Sequence, residues 1–271
     1  MPYVYSRGVR LCYDRIGEGQ PLVLLHGASQ DSTSWRFNWD EFGRYYDVIA
    51  LDNPGHGKSA VPPSGPVESV DEFADYAWGM IEALGLERPI IMGHSLSAAV
   101  ALRLAVRYGS QLTGVVAVDG AARTKNATHY RPGLLDYVAI NPMAWIETTF
   151  LSVLGRATPI ARKREMARDA RRAIPEVSVA DLVAYTSCDF LDELSSIVCP
   201  VVTVVGEDDW SCTPELAAES HEKITSRKAF HCFEGVGHIP HTEQPEVFNE
   251  TLLRLMASTF GTGSQANGGQ S

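Results

Sequence analysis

The sequence predicts an α/β protein: a mostly parallel central sheet covered by helices on both faces, with a helical segment inserted late in the chain. Three observations predict it. Short, continuous apolar runs (Leu22–Leu25, Val48–Leu51, Ile90–Met92, Val115–Val118 and Val201–Val205) are too short for helices and suit strands buried on both sides. Helical patterns alternate with these runs, which is the order a parallel sheet requires. One strand-to-helix junction, Gly93-His94-Ser95-Leu96-Ser97, has the small residues that an abrupt turn with a serine at its apex demands.

From Tyr3 to Gly17 the pattern gives two short strands joined at Arg7-Gly8. Glu18-Gly19-Gln20-Pro21 is a tight turn into the Leu22–Leu25 strand, which ends at His26-Gly27-Ala28-Ser29. Asp31 to Tyr46 gathers Trp35, Phe37, Trp39, Phe42 and Tyr45 around an expected helix. Val48–Leu51 runs into the glycine-rich loop Asp52 to Ser59, which lacks the GxxxxGK[ST] spacing of a phosphate loop. Val61 to Pro66 is a proline-rich surface connection. Ser69-Val70-Asp71-Glu72 is a capping box that opens a helix to about Leu84, stopped by Gly85. Beyond the junction, Ala98 to Tyr108 has helical spacing with Gly109 just past it, and the Val115–Val118 strand follows.

After Asp119-Gly120 the alternation breaks. The stretch to Ser187 has no buried strand, a helix-like run from Pro159 to Ala173 and proline-bounded pieces near Pro132, Pro142 and Pro175. Alternation resumes at Pro200 with Val201–Val205. Ala229–Phe233 is the expected last strand and Pro245–Phe260 the last helix. The expected organisation is a core built from 1–120 and 188–260, a helical insertion over 121–187, and a polar tail, 261–271, expected to be disordered.

A net charge of −10 and a pI near 5.3 exclude the basic face that phosphate contacts need. Nucleic acid and anionic membranes are therefore not expected as partners. Five scattered cysteines without a CxxC pair point to free thiols in a reducing compartment and to no zinc site. No basic-then-apolar leader opens the chain, and no apolar run approaches the roughly 18 residues of a membrane span. A cytoplasmic protein acting on a small molecule is expected, with a homodimer left open.

A serine hydroxyl is a weak nucleophile and needs a base that is itself oriented by a carboxylate. Ligands of open α/β sheets gather beyond the carboxyl ends of the strands, so histidine and aspartate just after strands are the candidates. Gly206-Glu207-Asp208-Asp209-Trp210 follows one strand and Gly235-Val236-Gly237-His238 follows another. The chain order is then Ser95, Asp, His. No metal constellation is evident. The GxGxxG motif of a dinucleotide site is also absent after the first strand of the parallel set.

Together these features resemble the α/β-hydrolase family from about Val4 to Phe260. The matching elements are the His26-Gly27 loop, Asp52-x-x-Gly55-x-Gly57-x-Ser59, Gly93-x-Ser95-x-Ser97, Gly206-x-x-Asp209, and Gly237-His238 followed by Glu243 and Pro245. One position departs, Ser97, where the family pattern has glycine. The resemblance implies an α/β-hydrolase fold whose insertion is a helical cap. Ser95 is then the nucleophile, His238 its base and Asp209 the residue that orients His238, with Asp208 and Asp119 as alternatives. The oxyanion would be held by the N–H groups of Leu96 and Ala28, with Ser29 in reserve. No cofactor and no metal are implied.

The activity implied is hydrolysis of a carboxylic ester or lactone through an acyl-serine. Carbon–carbon bond hydrolysis, thioester hydrolysis, or a ligand receptor or non-hydrolytic enzyme that retains the triad are the alternatives. Substrate would meet Ser29, Trp35, Tyr137, Trp145 and Trp210, giving an apolar or aromatic mouth; Tyr130, Phe37, Phe150 and Tyr185 are further aromatics nearby. His26 and His56 are read as loop-packing residues and His94 as pointing into the scaffold. His129, His221, His231 and His241 are read as surface or helix residues, His241 being a distant second as base. The cluster Arg162, Lys163, Arg164, Arg168, Arg171 and Arg172 reads as a solvated helix face, with steering of an anionic substrate as the alternative.

Overall fold

Within the central strands, successive side chains feed two separate cores. On β3 (Pro21–Leu25), Val23 and Leu25 enter one core while Leu22 and Leu24 enter the other. On β4 (Asp47–Leu51), Ile49 and Leu51 part from Val48 and Ala50 in the same way. Strand side chains alternate faces, so a sheet covered on both sides reads as a continuous apolar run. The computed structural model describes residues 2–124, 138, 140–169 and 172–261.

β1 (Tyr3–Ser6) and β2 (Val9–Ile16) form the expected hairpin. With β5 (Ile90–His94), β6 (Gly114–Val118), β7 (Val201–Gly206) and β8 (Lys228–Phe233), the sheet runs β1-β2-β4-β3-β5-β6-β7-β8. The pairings from β4 to β8 are parallel, and β2 lies antiparallel to β1 and β4. From β3 the chain steps outward to β4, then returns to place β5 on the other side. The order therefore reverses at β3/β5, and a crevice opens there beyond the carboxyl ends.

Helices α1 (Val70–Ala83) and α2 (Leu96–Tyr108) cover one face. Ser69 caps α1, its hydroxyl accepting the Asp71 N–H at 3.2 Å. Ala98, Ala99, Ala101 and Ala105 of α2 are fully buried, and their small size lets the helix lie close on β5 and β6. Between β6 and β7 come α3 (Pro142–Ser152), α4 (Ile160–Asp169) and α5 (Pro175–Thr186), with Pro142 and Pro175 in opening turns. Helix α6 (Pro214–Lys223) follows β7, and α7 (Pro245–Phe260) covers the second face with Phe248, Leu252 and Met256.

Asp31–Tyr46 departs from the expectation of one helix. It folds as a 3-10 turn, Ser32–Trp35, capped by Asp31, and a single helical turn, Trp39–Phe42, that gives out at Gly43. Burial of Trp35 and Phe42 in the second core, rather than helical periodicity, decides this segment. Arg162 and Arg172 of the basic cluster are engaged by Glu165 and Asp31. Tyr130, Tyr137, His129, Arg171 and the stretch 262–271 lie outside the described residues. Among the described residues no helix is long and apolar enough to cross a membrane.

Candidate active site

β5 ends at His94 and α2 begins at Leu96, so Ser95 alone makes the turn. Its backbone sits at φ 55° and ψ −120°, a conformation that costs an L-residue on the order of 1–3 kcal/mol. Its surroundings hold it there. The Ser95 N–H donates to the Val118 carbonyl at 2.8 Å. A Cβ on Gly93 would lie 1.9 Å from the Ser97 carbonyl oxygen, and one on Gly120 would lie 2.5 Å from that of Ser95, so neither position admits a side chain. Ser97, the departure from the glycine pattern, uses its hydroxyl. It donates to the His26 carbonyl at 2.6 Å and accepts from the Asn53 amide at 3.2 Å, tying the turn to the loops after β3 and β4.

His238 Nε2 lies 2.8 Å from Ser95 Oγ, and His238 Nδ1 lies 2.6 Å from Asp209 Oδ2. A carboxylate only accepts, so Nδ1 carries the proton and Nε2 turns its lone pair toward the serine hydroxyl. Asp209 is fixed by its other oxygen, which accepts the Ser211 and Cys212 N–H groups at 2.7 and 3.1 Å. The His238 loop is held by Glu243. One Glu243 oxygen accepts from Ile239 N–H at 2.9 Å. The other accepts from Gly155 N–H at 2.8 Å, from Gly237 N–H at 3.1 Å and from the Thr158 hydroxyl. His94 Nε2–H donates to the His238 carbonyl at 2.7 Å. Burial, reinforced by the neighbouring His241 and His238 rings, keeps the His94 pKa well below the imidazole range.

Neither alternative acid bonds to the imidazole. Asp208 pairs with Arg156 at the surface. Asp119 is fully buried in a left-handed backbone conformation (φ 48°), and its Oδ1 accepts the Gly206 N–H at 2.8 Å. Burial, then the Asp209 charge beside it, pushes the Asp119 pKa well above the carboxylate range, and the side chain props the Gly206 turn. Asp119, Asp209 and His238 lie with side-chain atoms within 4.8 Å of one another, yet it is Asp209 that bonds to the imidazole.

One expectation is corrected. Trp35 does not meet substrate: it is wholly buried and stacks on His241 at 4.1 Å, in the core behind the site. His241 lies in the helical turn Pro240–Glu243 and is likewise fully buried, and burial drives its pKa down to about 3. His26 packs the loop after β3. Its Nδ1–H donates to the Gly27 carbonyl at 2.8 Å and its Nε2 accepts the Asn53 N–H at 3.0 Å, and burial lowers its pKa to about 4.

A cleft of about 640 Å³ opens above Ser95. Ala28, Ser29 and His238 line its base, Trp210 its side, and Trp145, Phe150, Leu182 and Tyr185 of α3 and α5 its upper wall. Ser29, Trp145 and Trp210, named in the sequence analysis, all line this cleft. Thr149 and Val153 also reach the cleft and were not singled out. Their spacing of four and eight residues from Trp145 marks one face of a helix, a signal available once α3 is placed. Among the described residues, the N–H groups of Ala28 and of Leu96, the first residue of α2, find no protein acceptor.

Residues 22–251 match the family described as "Alpha/beta hydrolase family". The chain belongs to the α/β hydrolase family. This α/β hydrolase is 25% identical to the (E)-2-((N-methylformamido)methylene)succinate hydrolase of Acinetobacter baylyi, over 91% of this chain and 94% of that one. It is also similar to a thermophilic esterase from Thermogutta terrifontis, with a TM-score of 0.84 and 25% identity over 96% of this chain and 98% of the other. Est816, described as an N-acyl homoserine lactone degrading enzyme, superposes with a TM-score of 0.83 and 25% identity, covering 93% and 99%. The α/β hydrolase is accordingly an enzyme of the hydrolase class.

Proposed function

We propose that this α/β hydrolase cleaves a carboxylic ester or lactone of a small, apolar or aromatic acyl compound through an acyl-enzyme on Ser95. The observation that carries the reading is the unbroken relay from Ser95 Oγ through His238 to Asp209, at 2.8 and 2.6 Å, opening onto a largely apolar cleft. His238 Nε2 takes the hydroxyl proton as Ser95 Oγ bonds to the substrate carbonyl carbon. Asp209 holds the imidazolium that forms. The carbonyl oxygen, now an oxyanion, is received by the free N–H groups of Ala28 and Leu96. Collapse breaks the bond to the leaving oxygen, which takes the proton from His238 and departs as an alcohol. In a lactone it remains tethered as a hydroxyl. Water, deprotonated by His238, then attacks the acyl-serine and frees the acid and Ser95.

In this reading residues 121–187 are a cap over a core of 1–120 and 188–260, and α3 and α5 select the acyl group. The esterase and lactone-degrading names of similar structures support the bond type.

Turnover of para-nitrophenyl butyrate tests the proposal. Ser95→Ala is expected to lower kcat by about 10⁴-fold or more, and a fluorophosphonate to label the parent enzyme on Ser95 alone. Tight ligand binding without ester turnover and without labelling would overturn it in favour of a receptor.

A further inference from the structure

We propose that Asp181, on α5 above the cleft, is a positioning residue for the oxyanion hole: paired with His56, its carboxylate holds the turn that presents the Ala28 N–H. The inference rests on the acyl-serine reading above.

The turn spans Gly27 to Gln30. The Gln30 N–H donates to the Gly27 carbonyl at 3.3 Å, and the Gln30 side-chain oxygen accepts the Gly27 N–H at 3.0 Å. Ser29 stands at the third position with φ 60°, where a turn of this kind ordinarily requires glycine. A side chain there is tolerated only if the surroundings fix it. The fixing group comes from 152 residues away: Asp181 Oδ2 accepts the Ser29 N–H at 2.8 Å. That bond fixes the Ala28–Ser29 peptide and, through the closed turn, the adjoining Gly27–Ala28 peptide that carries the Ala28 N–H.

Asp181 is wholly buried, and a lone carboxylate there would be costly. His56 offsets the charge. Its Nε2 lies 2.9 Å from the same Asp181 oxygen and its Nδ1 lies 3.0 Å from the Pro54 carbonyl. Neither partner has a hydrogen to give, so the ring satisfies both only as an imidazolium. Burial opposes that charge, but the Asp181 carboxylate and its hydrogen bond outweigh burial and raise the His56 pKa above the ordinary imidazole value. The result is a neutral, oriented clamp with one arm on the turn. The same helix supplies Leu182 and Tyr185 to the cleft wall. The helix that meets the acyl group thus also sets the donor that meets its oxyanion.

The test compares the parent enzyme with Asp181→Ala and Asp181→Asn. The readouts are kcat and KM for para-nitrophenyl butyrate, affinity for an alkyl trifluoromethyl ketone whose Ser95 adduct carries an oxyanion, circular dichroism and Tm. Asp181→Ala is expected to lose about tenfold to a hundredfold in kcat, with KM changed less than about threefold and ketone affinity falling in parallel with kcat. Asp181→Asn keeps an acceptor for the Ser29 N–H and is expected to fall between the two. A folded Asp181→Ala enzyme with parent kcat and ketone affinity overturns the proposal. Failure of both variants to fold also overturns it, since the residue is then structural alone. A parent enzyme that turns over no ester and is not labelled on Ser95 fails the acyl-serine reading, and this inference falls with it.

Discussion

His238 meets Asp209 at 2.6 Å and His56 meets Asp181 at 2.9 Å, both pairs away from solvent, yet the two imidazoles are bound in different ways. The difference lies across the ring. Behind His238 stands the Ser95 hydroxyl, which can donate, so the ring nitrogen facing it is free to accept a proton. Behind His56 stands the Pro54 carbonyl, which can only accept, so that ring must donate at both nitrogens and is held as a cation. A buried histidine–aspartate pair therefore does not by itself mark a base. The group on the far side of the ring decides whether the pair moves a proton or fastens two segments together.

The sharpest break in the comparison comes from Asp209→Asn. The amide favours the wrong tautomer and turns an N–H toward Ser95, so kcat for an activated ester is expected to drop by about 10⁴-fold with little change in Tm.

His56→Gln should behave in the opposite manner. It leaves the Asp181 carboxylate buried without its cation, so stability should fall by roughly 3–5 kcal/mol, read as a shift in the urea midpoint. The loss in kcat is expected to stay within about tenfold, since Asp181 can still accept the Ser29 N–H.

Acid sharpens the same contrast in the parent enzyme. His26, His94 and His241 have folded pKa values pushed below the ordinary imidazole range, to about 4 for His26 and about 3 for His241, with burial as the leading cause in each. As pH falls below about 6.5 the unfolded chain takes up protons that these folded rings refuse, so stability is lost, at most roughly 3 kcal/mol per ring by pH 4. His56 has the reverse sign. Its contribution is complete below the unfolded imidazole pKa and fades as pH rises through its raised folded value. Burial also lowers His221, to about 4, and His231, so five rings against one predict a steep loss of stability from about pH 6.5 to 4 and a shallower one on the alkaline side, measurable by urea unfolding.

The smallest effect belongs to Asp119→Asn. Burial and the Asp209 charge favour the uncharged form of its carboxyl, and an amide oxygen can still receive the Gly206 N–H. A change in kcat within about fivefold is expected. A loss as large as that of Asp209→Asn would mean the two carboxylates share the task of orienting His238.

The strands were legible because burial on both faces leaves unbroken apolar runs, and Ser95 and His238 because each follows a strand amid small residues. Whether Asp208 or Asp209 faces the imidazole was not legible, since adjacent residues in a turn point different ways. Trp35 misled because an aromatic after a strand can enter the cleft or the second core, and only the stacking on His241 settles which. Asp181 carried no local signal at all. On paper it is a polar residue on a helix, and its partners Ser29 and His56 are brought to it only by the tertiary fold.

Glu243 sets a condition on any attempt to retarget this scaffold. Its carboxylate receives amides from Gly237 and Ile239 on one side and Gly155 and the Thr158 hydroxyl on the other, so the histidine loop and the segment above it share one buried anion. A chimera that replaces the region between β6 and β7 to admit a new acyl group must carry donors equivalent to Gly155 and Thr158. Otherwise it strands that anion and loosens the imidazole, while every residue of the relay remains in the sequence.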